Sequence, residues 1–233
     1  GLRKQLLDMG LDYRDKGNIP VDVIEYYEEN PKRKRHIEQI NRVNLHLADQ
    51  VSKTLREQRF PVVLGGDHSI AIGTVMGVQR EKKNIGIIWM DAHGDYNNPQ
   101  SSLTGNPHGM PLAAVTGSNA DELVPYKLRD IPYVNPENVV IVGARSIDRE
   151  EGRLLLKSGV TVFTIADIDM YGMRFIMEKA INIAGSGTSG YHVSFDMDVL
   201  NPTEAPGVGT PVYGGLTYRE AHLASEMIAE DGR

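Results

Sequence analysis

The sequence contains no cysteine, a single tryptophan, four phenylalanines and no surplus of positive charge. Without cysteine there is neither disulfide nor thiolate ligand, so any metal must be held by oxygen and nitrogen, and a cytoplasmic setting is the expectation. The net charge of −6 at pH 7 argues against nucleic acid as a partner, because phosphate binding needs a clustered cationic face. The one dense basic run, at 32–35 (KRKR), reads as a solvated segment ahead of a helix. No apolar run approaches the ~20 residues that cross a bilayer. The charged, amphipathic opening GLRKQLLDMGLDYRDKG lacks a signal-peptide pattern, so no membrane partner is expected. The chain opens on Gly1 and stops at Arg233 directly after a helical pattern, so both ends read as cut.

What is present suffices for a large core: 40% of the 233 residues are hydrophobic and 24% charged. Ile37, Ile40, Val43, Leu47, Val51 and Leu55 recur at helical spacing and predict a helix over about 36–57. Short apolar runs at 61–64, 85–90, 139–142, 160–165 and 191–195 read as buried strands. Helices are predicted between them: 69–78 with Ser69 as N-cap, 148–157, and 173–183. A short apolar piece lies at 112–115, and Thr217 and Glu220 have capping-box spacing ahead of a last helix. Strands alternating with helices predict a parallel β-sheet flanked by helices on both faces, a three-layer α/β/α fold, with residues 1–233 as one domain.

Ligands of open parallel sheets bind beyond the carboxyl ends of the strands. Three such ends carry unusual polar sets: GGDHS at 65–69, DAHGD at 91–95 and DMD at 196–198. In extended backbone Asp91, His93 and Asp95 share a face, as do Asp196 and Asp198. If those strands are neighbours, four carboxylates and His93 crowd one pocket, with His68 added from a third strand. Each residue alone has a plainer use, since an aspartate after a strand is commonly a cap or turn residue and a lone histidine is commonly structural. Together the carboxylates cannot all remain ionised unless cations are present. Two divalent ions remove that conflict, and a ligand set without sulfur suits Mn²⁺. Asp91 and Asp196 could each bridge both ions, and water held between them would be acidified to a nucleophilic hydroxide. His36, His46, His192 and His222 lack such partners and read as structural.

GGDHS at 65–69, DAHGDYN at 91–97 and SFDMDVLNP at 194–202 resemble the metal motifs of the ureohydrolases, the family of arginase and agmatinase, although Asn201 stands where those proteins usually carry Asp. The resemblance runs over nearly the whole chain and is strongest to arginase. It implies two Mn²⁺ ions, one held by His68, Asp91, Asp95 and Asp196 and the other by Asp91, His93, Asp196 and Asp198. The loop TGNPHG at 104–109 looks like the arginase loop that grips an amino-acid substrate. By this resemblance Asn97, Thr104 and Asn106 would recognise the α-carboxylate of L-arginine. Asp148 would take its α-amino group with Glu151 assisting through water, while Ser146 replaces an acid of that motif. Asp95 would accept a proton from the metal-bridging hydroxide and His108 would shuttle one, releasing urea and L-ornithine.

The resemblance also implies a homo-oligomer, trimer or hexamer. Measured against it, the sequence lacks the family's first strand and the C-terminal segment whose glutamate grips the guanidinium. Three other readings compete: an agmatinase or other guanidino-compound hydrolase, a single-zinc deacetylase of related fold, and an inactive metal-binding scaffold.

Overall fold

The computed structural model describes residues 1–22 and 36–233, so the basic run at 32–35 lies outside the described residues. In chain order the elements are α1 (Leu2–Asp8), α2 (Ile37–Arg56), α3 (Ala71–Lys82), β1 (Gly86–Met90), α4 (Pro111–Thr116) and β2 (Val139–Ala144). There follow α5 (Arg149–Ser158), β3 (Thr161–Thr164), α6 (Ile165–Tyr171), α7 (Met173–Gly185), β4 (Tyr191–Phe195) and α8 (Tyr218–Asp231). The strands form one sheet of order β3-β2-β1-β4, parallel throughout.

Every residue of the central strands β1 and β2 is buried. Strand alternation divides them between two cores. Ile87, Trp89, Val139 and Ile141 pack with Ile72, Val75 and Met76 of α3 and Leu112 of α4. Ile88, Met90, Val140 and Val142 pack with Ile176, Met177 and Ala180 of α7 and Ala224 and Met227 of α8. Full burial of each large aliphatic side chain stabilises the fold by about 1.5–3 kcal/mol, which is why helices must cover both faces. The three-layer expectation therefore holds. β3 and β4 are the outer strands and are only partly buried.

Three local expectations differ from the structure. The run at 61–64 forms no strand; Val62 is 69% and Leu64 77% exposed. Its apolar character suits a buried strand, but it pairs with none of the four strands of the sheet. Ser69 is not the N-cap either. Asp67 caps a 3₁₀ turn, His68–Ile70, by accepting from the Ser69 N–H at 2.9 Å, and α3 starts only at Ala71. Finally, α6 follows β3 without a loop, started by a capping box between Thr164 and Asp167.

Beyond Val142, β2 contains an irregularity at Gly143, whose φ is +97°. A β-carbon there would stand 2.5 Å from Val199 Cγ2, so glycine is required by both backbone and space. The bulge changes which way the following side chains point: Val142 belongs to the α7/α8 core, while Ala144 belongs to the opposite one.

Candidate metal centre

The carboxyl ends of β1 and β4 lie side by side, with Met90 opposite Phe195, so the turns after them meet. The Asp196 N–H bonds the Met90 carbonyl, joining the two turns directly. His68 arrives from the turn before α3, where Asn44 of α2 accepts from the Gly73 N–H and donates to the Ser69 carbonyl, each at 3.0 Å. The three sequence motifs are thereby gathered at one end of the sheet.

Neither acidic motif is simply extended, as the alternation argument assumed. Asp95 has φ +49°, so its carboxyl is delivered by a left-handed bend. Asp196 caps a 3₁₀ turn, Met197–Val199, accepting from the Asp198 N–H at 2.9 Å. Turn geometry, rather than strand pleat, brings the acids together.

His68 Nδ1 faces three carboxylate oxygens: Asp91 Oδ2 at 2.9 Å, Asp95 Oδ2 at 3.0 Å and Asp196 Oδ2 at 3.2 Å. A ring nitrogen carries at most one hydrogen, so it cannot satisfy three acceptors. Asp95 Oδ2 is fully buried and has no hydrogen-bond partner. The His68 nitrogen and the Asp91 and Asp196 oxygens lie close enough together to suit a cation between them, with Asp95 beside this group and outside it. A second set adjoins it: His93 Nδ1 stands 3.4 Å from Asp91 Oδ1 and 3.1 Å from Asp198 Oδ2. Two groups able to hold a metal ion result, His68–Asp91–Asp196 and Asp91–His93–Asp198, and Asp91 belongs to both.

Electrostatics carry the same message. Burial works against charge on His68, yet Asp196, Asp91 and Asp95 outweigh it and hold the imidazole well above its ordinary value. His93 is likewise desolvated but is raised to about 10 by Asp198 and Asp91. Asp91 is brought down to about 2, its burial overcome by the two histidines. Asp95 is pushed well above the usual carboxylate range by burial and by the charge of Asp91. Without cations the cluster is tolerable only by holding protons, which occupy the places positive ions would take.

Surrounding contacts fix the ligand atoms. His68 stacks on Trp89 with ring centroids 4.1 Å apart, and its Nε2 is 2.7 Å from Ser194 Oγ, leaving Nδ1 turned to the acids. Trp89 Nε1 donates to Asp91 Oδ2 at 3.0 Å. Asp198 is held through its two oxygens by the Ala92 N–H and Thr210 Oγ1. From the sequence Trp89 is given no role, and Ser194 and Thr210 stand only inside segments that resemble the family. Alternation could have found Trp89, since it lies two residues before Asp91.

The expected substrate-side residues lie on neighbouring segments. Asn97 Nδ2 donates to Asp148 Oδ2 at 2.8 Å, and Ser101 Oγ donates to Asn97 Oδ1. Asp148 also caps α5, its Oδ1 accepting from the N–H groups of Glu150 and Glu151. Burial opposes its charge, but these hydrogen bonds keep its carboxyl below the usual range. Glu151 is buried and accepts from the Tyr96 N–H at 2.9 Å. Burial, reinforced by the charge of Asp148, raises it to about 7. Thr104 is exposed, its hydroxyl accepting from the Asn106 N–H at 3.2 Å. His108 sits half-buried in a 3₁₀ turn, Pro107–Gly109, which packs against the His68–Ile70 turn.

Fold and cluster together define a class: an α/β protein with a carboxylate–imidazole metal centre at the carboxyl edge of a parallel sheet. The Arginase family model matches residues 2–233, and the chain belongs to that family. It is 45% identical to the arginase of Bacillus subtilis (strain 168), an alignment covering 99% of this chain and 77% of that one. The solved structure of Bacillus caldovelox arginase matches with a TM-score of 0.90 at 43% identity, covering 99% of this chain and 77% of that one. Arginase from Bacillus cereus matches with a TM-score of 0.87 at 46% identity and the same shares.

Proposed function

We propose that the chain hydrolyses L-arginine to L-ornithine and urea, using two Mn²⁺ ions at the His68/His93 cluster. The observation carrying this reading is the division of Asp91 between two ligand groups, Oδ2 toward His68 and Oδ1 toward His93. His68, Asp91, Asp95 and Asp196 would hold one ion; His93, Asp91, Asp196 and Asp198 would hold the other. The buried, unpartnered Asp95 Oδ2 fits such a role. Bound there, the ions would supply Lewis-acid charge and make water acidic enough to act as a nucleophile near neutral pH.

The chain's own groups then orient substrate and move protons. Asn97, Thr104 and Asn106 offer neutral amide and hydroxyl donors suited to an α-carboxylate. Asp148 stays ionised and a carboxylate accepts more hydrogen bonds than the three it already makes, so it can still receive an α-ammonium, with Glu151 assisting through water. Asp95 takes the proton lost by the attacking water and returns it to the leaving nitrogen as the C–N bond breaks. His108 relays protons between this point and solvent. A cytoplasmic homo-oligomer, trimer or hexamer, belongs to the same reading and is checked by sedimentation.

The test is urea release from L-arginine after Mn²⁺ loading, with agmatine beside it. Urea from L-arginine in clear preference to agmatine supports the reading. Preference for agmatine moves the chain to another guanidino-hydrolase activity. Bound manganese with no urea from either substrate leaves a metal-binding scaffold.

A further inference from the structure

Among the described residues next to the metal cluster, Arg145 carries a permanent charge that the proposed chemistry leaves unused. The bulge at Gly143 turns it toward the segment following β4. There its fork donates only to main-chain carbonyls: Nη2 to Asp198 O at 2.6 Å, Val212 O at 2.7 Å and Leu200 O at 3.2 Å; Nη1 to Val199 O at 3.1 Å and Gly143 O at 3.3 Å; and Nε to Val212 O at 3.2 Å. No carboxylate of the described residues bonds it, although the charges of Asp198 and Asp91 act on it. A β-carbon at Gly215 would stand 2.5 Å from Nη2, so the surrounding chain leaves room for this guanidinium and little else.

The accepting groups explain what the contact accomplishes. Where the 3₁₀ turn Met197–Val199 ends, the Val199 carbonyl accepts from the Leu216 N–H at 2.9 Å, while those of Asp198 and Leu200 have no main-chain donor among the described residues. A planar, permanently charged fork is the side chain best suited to collect several such carbonyls. Arg145 also acts through its backbone: its N–H bonds the Ala92 carbonyl at 2.9 Å, while the Ala92 N–H bonds Asp198 Oδ1 at 3.2 Å. One residue thus clamps the turn bearing His93 to the turn bearing Asp198. His68 and Asp95 receive none of these contacts.

Building on the binuclear reading above, we propose that Arg145 is a positioning residue for the His93–Asp198 half of the centre, fixing Asp198 so that a second cation can be held beside His93. The consequence is unequal. Loosening Arg145 should weaken the second ion and spare the first. Charge alone should not suffice, because a lysine ammonium offers three hydrogens from a single atom and cannot span carbonyls on both segments.

The test is Mn²⁺ titration of the intact chain, followed by loss of the free-ion electron paramagnetic signal, in wild type, Arg145→Lys and Arg145→Gln. In both variants the tighter ion should bind within about threefold of wild type and the other at least tenfold more weakly, the ordinary scale for an outer contact of a metal ligand. Should Arg145→Gln fail to fold, Arg145→Lys decides alone. Wild-type affinity for both ions in the lysine variant overturns the proposal. So does an equal loss of both, which marks a general structural role. A wild-type chain that takes up no second ion refutes the binuclear reading itself, so the two failures are distinct.

Discussion

At Asp91 the two carboxylate oxygens meet different histidines, and a third contact, from Trp89 Nε1, holds the group between them. Trp89 is the only tryptophan in the chain, it stacks on His68, and it is fully buried. Its fluorescence is therefore a direct reporter of the centre. Addition of Mn²⁺ should quench it saturably, with Mg²⁺ giving little change at the same concentration; an indole insensitive to Mn²⁺ would place the ion elsewhere. In the proposed mechanism His108 serves the chemistry and not the ligand set. His108→Asn should lower the turnover number by about 10²-fold or more, the ordinary contribution of a positioned proton carrier, with manganese content unchanged. Unchanged turnover would remove it from the mechanism.

Among the elements, α8 shows a start signal readable directly from sequence. The Glu220 N–H donates to Thr217 Oγ1, and the Thr217 N–H donates to Glu220 Oε2. Thr217→Ala should cost about 1 kcal/mol in chemical denaturation while leaving manganese affinity alone. Long amphipathic patterns and apolar strands were legible in the same way: α2, β1 and β2 lie close to where periodicity puts them. The departures share a cause. Residues 61–64 have the composition of a strand, but pairing depends on a neighbouring edge that composition cannot report. The start of α3 is displaced because both Asp67 and Ser69 are good caps, and the competition is decided by the 3₁₀ turn that aims His68. The site residues were legible as a set because D-x-H-x-D and D-x-D directly follow apolar strands. The bends that deliver Asp95 and Asp198 were not, since a left-handed aspartate and a one-turn helix leave no periodic trace.

Across the whole molecule the cluster couples pH to metal uptake. In the metal-free chain His93 is raised to about 10 and His68 and Asp95 are also raised, so near neutral pH these groups hold protons that must leave when cations enter. Manganese affinity should therefore rise with pH. Calorimetry at pH 7 in buffers of different ionisation enthalpy should show net proton release on Mn²⁺ binding; no release would contradict this description. For the metal-free fold the signs follow from the same shifts. The stability gained through His93 is fully present below its ordinary 6.5 and is lost as pH rises through about 10. That gained through Asp91 is present above 3.8 and is lost as pH falls through about 2.

Manganese bound per folded chain, in wild type beside Asp91→Ala, reaches the core of this description. Two ions in the wild type and neither held firmly in the variant are expected, because Asp91 belongs to both ligand groups. A wild-type chain that saturates with a single ion, or an Asp91→Ala chain that keeps two, would contradict it.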